Sequence, residues 1–223
     1  MRVSLLLLSA GRGRRLGKGA PKALVKIKDK PLFCYSLERL QDTRIFTNIY
    51  VVIPRGYKSA FHKYINKYRL KVDSLITGGR ERMDSVCRGF FSLDECDYVF
   101  IHDSARPFVS RELVFRLYES VLKYKAVIPV RKIPFTVKKC QYGFVKETVD
   151  RNHLYEVQTP QAFSYPVLKS AIDNHLSKRD KIVVNDDASF VELIGKKVRV
   201  IPGEVLNFKI TFPEELELAE RLV

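Results

Sequence analysis

The run Val3-Ser4-Leu5-Leu6-Leu7-Leu8 leads straight into Ser9-Ala10-Gly11-Arg12-Gly13-Arg14-Arg15-Leu16, and Pro21-Lys22 follows shortly after. An apolar run of strand length that ends in a glycine-rich, arginine-rich turn is built to hold polyphosphate. Glycines let backbone N–H groups approach phosphate oxygens, and the cations neutralise the charge those amides cannot. Two common phosphate loops are excluded. A dinucleotide fingerprint needs G-x-G-x-x-G and an acid about 20 positions on for the ribose. Here Leu16 stands at the third glycine, and the second strand ends at Ile53-Pro54 without an acid. A P-loop needs G-x-x-x-x-G-K-[ST], and Gly17-Lys18-Gly19 fails in both spacing and hydroxyl. Taken alone, the loop is equally a glycine-rich turn on a basic protein.

The remaining pattern, G-x-G-x-R with Lys22 downstream, is that of a nucleotide-transferring site. Short apolar runs at Val3–Leu8, Ile49–Ile53, Val72–Ile76, Tyr98–His102 and Ala126–Val130 read as strands. Between them, Leu32–Leu40, Lys58–Tyr68, Arg82–Phe91 and Arg111–Leu122 carry apolar residues at helical spacing. This alternation predicts an α/β fold with a mostly parallel sheet and helices on both faces. Ligands of such sheets sit beyond the carboxyl ends of the strands. That rule gathers the Gly11 loop, Thr77-Gly78-Gly79 and His102-Asp103 onto one edge.

Residues 131–152 break the rhythm. Thr136–Lys139 and Phe144–Val149 flank Gln141-Tyr142-Gly143 and read as a hairpin. A protruding hairpin leaves edges exposed, and the same hairpin of a second copy is the simplest cover, giving a two-fold homodimer. A strand near Val198–Ile201, a strand at Asn207–Thr211 carrying Lys209, and a helix from Pro213 to Leu222 complete one domain spanning 1–223 with an arm at 131–152.

A net charge of +15 favours an anionic partner. The cations are scattered, so a solvated basic surface accounts for most of them. The four cysteines, Cys34, Cys87, Cys96 and Cys140, lack metal spacing and read as small buried residues of a reducing compartment. Met1-Arg2 and the leucines after it are too short for a signal peptide. No stretch approaches the roughly 20 apolar residues of a membrane span, so a cytoplasmic protein without membrane contact is expected.

Other segments can carry chemistry. Asp103, at a strand end facing the phosphate loop, can hold Mg²⁺ on phosphate oxygens, with Arg106 reaching a phosphate or steadying Asp103. The plain alternative is Asp103 capping the next turn with Arg106 as its partner. Gly78-Gly79 offers bare backbone to a flat base, and Ser85 adds a side-chain hydrogen bond. Arg151 and Thr159 are able to grip a substrate phosphate, or serve as a loop ion pair and a turn residue. Asn185-Asp186-Asp187-Ala188-Ser189 reads first as a helix cap, with either aspartate free to contact metal or ribose. Lys209 is a solvent-facing lysine or a phosphate ligand. His62 and His175 read as surface residues, and no Ser–His–Asp set or zinc signature stands out.

In this order, A-G-x-G-x-R with P-K, G-G-x-x-R-x-D-S-V, H-D-x-A-R-P, D-R, Q-T-P-Q, D-D-A-S and N-x-K-I-T resemble the 2-C-methyl-D-erythritol 4-phosphate cytidylyltransferase family of the non-mevalonate isoprenoid pathway. The resemblance covers effectively the whole chain. It implies a Rossmann-like nucleotidyltransferase domain, a dimer interlocked by the arm, and Mg²⁺-dependent condensation of CTP with a polyol phosphate. It places catalysis on Arg15, Lys22 and Lys209, and nucleotide contacts on Ala10, Gly11, Gly13, Gly79, Ser85, Asp103 and Arg106. The metal falls on Asp103. Substrate contacts fall on Arg151, Thr159, Thr136 and Asn185, the clamp being contributed across the dimer.

The chain departs from the family pattern in four places. Ala23 stands where Gln usually follows P-K, Arg80 where an acid is common, and Asn185 where Thr is frequent. The segment Pro129–Lys138 is longer than P-V-x-D-T-x-K and lacks its Asp. These departures leave the same chemistry on ribitol 5-phosphate as the near rival. A basic nucleic-acid-binding protein on the same scaffold would cluster its cations among exposed aromatics. Here they stand singly at strand ends beside glycines, so no nucleic-acid partner is expected.

Overall fold

The computed structural model describes residues 1–17, 19–177 and 184–223. Lys18, of the rejected P-loop comparison, lies outside the described residues. In chain order the strands are β1 (Val3–Leu8), β2 (Lys26–Ile27), β3 (Lys30–Pro31), β4 (Asn48–Ile53), β5 (Ser74–Thr77), β6 (Tyr98–Asp103), β7 (Ala126–Lys132), β8 (Val137–Gln141), β9 (Phe144–Val149), β10 (Tyr155–Val157), β11 (Gln161–Ser164) and β12 (Arg199–Pro202). The helices are α1 (Leu32–Gln41), α2 (Lys58–Lys67), α3 (Arg82–Phe90), α4 (Arg111–Tyr124), α5 (Tyr165–Ser177), α6 (Asp187–Glu192) and α7 (Pro213–Arg221).

β1 pairs in parallel with β4 on one side and β6 on the other, and β4 continues in parallel to β5. The chain therefore steps outward from β1 in one direction and then crosses to its other side. The loop after β1 opens at this switch point, where doubly wound sheets bind ligands. β11 runs antiparallel between β6 and β7, and β12 pairs in parallel with β7. β10 and β11 pair with successive stretches of β7, separated by Gln158-Thr159-Pro160.

All six residues of β1 are buried because both faces of the sheet are covered. With side chains alternating along the strand, Leu5 and Leu7 join Phe33, Leu37, Phe61, Leu113 and Leu117 of α1, α2 and α4. Leu6 and Leu8 face Val86, Phe90, Leu168, Ile172 and Phe190 of α3, α5 and α6. A smaller cluster of Leu16, Val25, Ile27, Leu32, Phe108, Ile210, Leu216 and Ala219 joins the first loop, the β2–β3 turn, the C-terminal segment and α7.

β8 and β9 form a separate two-stranded sheet, as the hairpin pattern predicts. Several expectations need correction. The segment carrying Lys209 is not a strand: it docks by one backbone bond, Ile210 N–H to the Ala105 carbonyl at 2.8 Å. β10 and β11 had no counterpart among the expected strands, because they are short and carry few apolar residues, and α5 contains the helical stretch expected around His175. His175 is buried, its ring edge-on to Phe190 at 5.2 Å. Cys140 is exposed on the hairpin, whereas the other three cysteines are buried as expected. None of the described helices is long and apolar enough to cross a membrane.

Candidate active site

Loops at the carboxyl ends of β1, β5 and β6 converge. The first folds back on itself: the Lys22 N–H donates to the Gly11 carbonyl and the Leu16 N–H to that of Gly13, both at 3.0 Å. Gly13 sits at φ +66°, and a side chain there would meet the Lys22 backbone nitrogen at 3.0 Å, so the turn requires glycine. Gly78 brings the β5 loop against the first. A Cβ at that position would stand 2.6 Å from the Ala10 Cβ and 2.8 Å from Ser85 Oγ.

The carboxylate of Asp103, at the end of β6, receives Lys209 Nζ at 2.6 Å and Arg82 Nε at 3.3 Å. The remaining two nitrogens of Arg82 grip Asp187, each at 2.7 Å. Burial alone would raise the Asp103 carboxyl, but Arg82 and Lys209 outweigh it and hold it well below the usual carboxylate range. Burial pushes the Asp187 carboxyl up, against the pull of the Arg82 fork. Burial would lower the Arg82 guanidinium, and the two carboxylates instead hold it above its ordinary value.

Lys22 faces the same edge. Partial burial, with Lys209 and Arg15 as cationic neighbours, lowers its amine to about 8, and Asp103 opposes the shift. Partly buried beside Lys209 and Arg15, the Lys22 ammonium suits an anion, whose negative charge would oppose the cationic part of that shift. Arg15 lies with its guanidinium 5.6 Å from the Phe212 ring. Its neighbour Leu16 and Lys209's neighbour Ile210 are buried in the small cluster, which ties both cation carriers together.

The structure thus gathers Arg15, Lys22, Asp103 and Lys209, with Ala10, Gly11, Gly13 and Gly79 on the surrounding loops. Other expected residues are placed differently. The Arg106 guanidinium donates to the carbonyls of Asn207 at 2.7 Å and Val157 at 3.1 Å, and its charge helps hold Asp103 low. Thr159 is buried and its hydroxyl is already used: the oxygen accepts the Asp103 N–H at 3.1 Å and meets His102 Nδ1 at 3.0 Å. His102 Nε2 lies 3.1 Å from the Arg106 carbonyl, which only accepts, so Nε2 carries the proton and Nδ1 accepts from Thr159. Full burial lowers His102 to about 4 and keeps it neutral. Thr159 therefore supports the Asp103 backbone within this chain.

Ser85 is similarly committed, accepting the Gly79 N–H and donating to the Glu81 carbonyl, both at 3.0 Å. Asp103 does not cap the following turn; α4 is capped by Ser110, whose hydroxyl accepts the Leu113 N–H at 3.0 Å. Asp186 is the cap of α6, and Asp187 is closed off by Arg82. Asn185 and Thr136 are exposed, and Arg151 binds the Pro134 carbonyl at the base of the arm. Within one chain, these three make no hydrogen bond to the cation cluster among the described residues.

Sequence reasoning missed Arg82. A usable signal exists, since Arg82 opens α3, where the helix dipole disfavours a cation. A cation in that position implies a compensating anion elsewhere, here two of them.

No cluster of three or more His, Cys, Asp or Glu suited to a metal occurs among the described residues. Among the described residues, Asp103 offers its carboxylate to the phosphate edge from the end of β6. That donor set fits Mg²⁺, which keeps several waters and binds through one or two carboxylates plus substrate phosphates.

The family model for 2-C-methyl-D-erythritol 4-phosphate cytidylyltransferase matches residues 3–223. A protein of that name from Clostridium beijerinckii is 38% identical over 223 residues, covering 99% of this chain and 98% of the relative. One from Geobacillus kaustophilus is 36% identical, covering 100% of this chain and 97% of the relative. The crystal structure of 2-C-methyl-D-erythritol 4-phosphate cytidylyltransferase from Thermus thermophilus superposes with a TM-score of 0.82 at 31% identity, over 100% of this chain and 98% of that one.

Proposed function

This chain belongs to the 2-C-methyl-D-erythritol 4-phosphate cytidylyltransferase family, and we propose how its own residues perform that reaction, CTP plus 2-C-methyl-D-erythritol 4-phosphate giving CDP-methylerythritol and pyrophosphate. The observation that carries the proposal is the cluster of Lys22, Lys209 and Arg15 around the glycine loop. Burial first, and the charges of Lys209 and Arg15 after it, lower Lys22 to about 8.

An oxygen of the acceptor's phosphate attacks the α-phosphorus of CTP. One P–O bond forms while the bond to the β-phosphate oxygen breaks, and pyrophosphate leaves in line. The attacking phosphate is already anionic, so no general base is needed. The chain's task is to hold two polyanions together and stabilise the charge that grows on the α- and β-phosphates. Arg15, Lys22 and Lys209 supply that charge from fixed positions, where little reorganisation is needed. Backbone amides around Gly11 and Gly13 cradle the triphosphate, and the surface near Ala10 and Gly79 receives the base. Asp103 would hold Mg²⁺, which when bound neutralises phosphate oxygens on the transferring group.

The β8–β9 arm belongs to the same reading. Tyr142, Phe144 and Val145 are 90%, 79% and 61% exposed there, an apolar surface on an isolated hairpin. A second copy's arm covers it in a two-fold dimer and carries Arg151 and Thr136 toward the partner's acceptor site. Four unpaired cysteines accord with the reducing cytoplasm.

The test is pyrophosphate release with CTP and Mg²⁺, run in parallel on methylerythritol 4-phosphate and ribitol 5-phosphate. Turnover on the first and little on the second is expected. Silence on the first would overturn the assignment of acceptor.

A further inference from the structure

We propose that Arg82 is a positioning residue: anchored at its far end by Asp187, it keeps the Asp103 carboxylate aimed at the phosphate edge when Lys209 moves onto a phosphate. The inference rests on the functional reading above.

Asp103 has two charged partners of different kinds. Lys209 offers a single ammonium on a flexible stem from an irregular segment, and the reaction calls that ammonium to phosphate. Arg82 has no such freedom. Its Nη1 and Nη2 are both committed to Asp187, leaving only Nε for Asp103. Asp187 is fully buried and cannot follow a ligand outward.

The anchor is itself held. Asp186 Oδ1 caps the Ser189 N–H at 3.1 Å, and Gln161 Nε2 donates to Asp186 Oδ2 at 2.9 Å. Gln161 Oε1 accepts the Ala188 N–H at 2.9 Å. Gln161 lies on β11, opposite Ile101 of β6, the strand that carries Asp103. The contacts form a closed circuit from β6 through Asp103, Arg82, Asp187, α6 and Gln161 back to β6. With Lys209 engaged elsewhere, Arg82 remains hydrogen-bonded to both Asp103 and Asp187, while Arg106 acts on Asp103 through its charge. The freed Oδ2 of Asp103 then suits a phosphate-bound divalent cation.

The competing account makes Arg82 a neutraliser of two buried carboxylates and nothing more. The two accounts separate in Arg82→Met and in Arg82→Met/Asp187→Leu. The single change leaves Asp187 buried without its partner and lowers Tm. The double change replaces a buried ion pair with apolar packing and restores Tm. Positioning predicts that kcat of the double variant stays down by about tenfold or more, with KM for the acceptor within about twofold of the parent. It also predicts that the increase in CTP affinity produced by Mg²⁺, measured by calorimetry with Mg²⁺ and with chelator, stays lost.

Recovery of kcat and of that Mg²⁺-dependent increment together with Tm would overturn the proposal. If the double variant remains unstable, Arg82→Lys decides by the same two readouts, since it keeps the cation and breaks the fork. Parent-like values in Arg82→Lys overturn the proposal, and loss of both supports it. A parent protein that binds Mg²⁺ and CTP but does not turn over methylerythritol 4-phosphate would instead overturn the functional reading, and the binding comparison would still stand.

Discussion

The phosphate edge and the β8–β9 arm both carry ion pairs, yet the partners come from different places. At the edge, the ion pairs join distant parts of the same chain: Asp103 with Lys209 and Arg82, and Arg82 with Asp187. In the arm, the ion pair Lys139–Glu147 joins one strand of the hairpin to the other, at 3.1 Å and exposed. Such a pair contributes about 0–1 kcal/mol. The arm's aromatic residues point to solvent, whereas Leu16 and Ile210 beside the edge are buried. The edge's ion pairs close within one fold, whereas the arm's apolar surface is exposed.

The largest effect that can break this contrast lies at the edge. Lys22→Ala or Arg15→Ala lowers kcat by about 10²–10³-fold, because fixed charge at the developing anion is lost. The arm, being separate, leaves the oligomeric state unchanged in these variants. A near-normal rate in single-turnover kinetics would remove either residue from the catalytic set. Next is deletion of the hairpin between Lys138 and Lys146, which yields monomers by light scattering and removes the acceptor clamp. An unaltered dimer would show that the arm is not the interface.

Arg151→Ala is a smaller change, raising KM for the acceptor phosphate by about tenfold, as loss of a charge-assisted hydrogen bond does. A rise confined to KM for CTP would place Arg151 at the other substrate. The smallest effect is on pH dependence. Lys22 is held at about 8, so kcat/KM falls as pH rises through that value and the amine loses its charge. Lys22→Arg retains its charge and flattens that limb. For stability the sign is opposite: the folded-state value lies below the unfolded one, so the cost of holding Lys22 charged is relieved as pH rises above 8.

Much of this contrast was legible in the chain. Five strands and four helices of the doubly wound half follow from the spacing of apolar residues, because burial on two faces and helical period are local properties of sequence. The hairpin was legible from Gln141-Tyr142-Gly143, with Gly143 at φ +84° where glycine is favoured. Arg15, Lys22 and Lys209 were read from motifs that resemble the family's, and Asp103 from its place at a strand end facing the glycine loop.

Other features were not legible. Arg106 and Thr159 sit in motifs that suggest ligand contact, but the antiparallel entry of β11 beside β6 turns Thr159 toward His102. The guanidinium of Arg106 is drawn to the carbonyls of Val157 and Asn207, far from it in sequence. His175 carries no local sign that Phe190 of another helix will cover it.

The sequence by itself determined which segments form strands and where the glycine loop opens, since each depends on neighbours within a few residues. Only the tertiary structure decided which charges neutralise one another. Arg82 meets both Asp103 and Asp187 because β1 is the switch point, with α3 crossing from β5 to β6 and α6 closing over the same edge. Pairing of this kind depends on the order of strands in space, and a linear pattern does not encode that order.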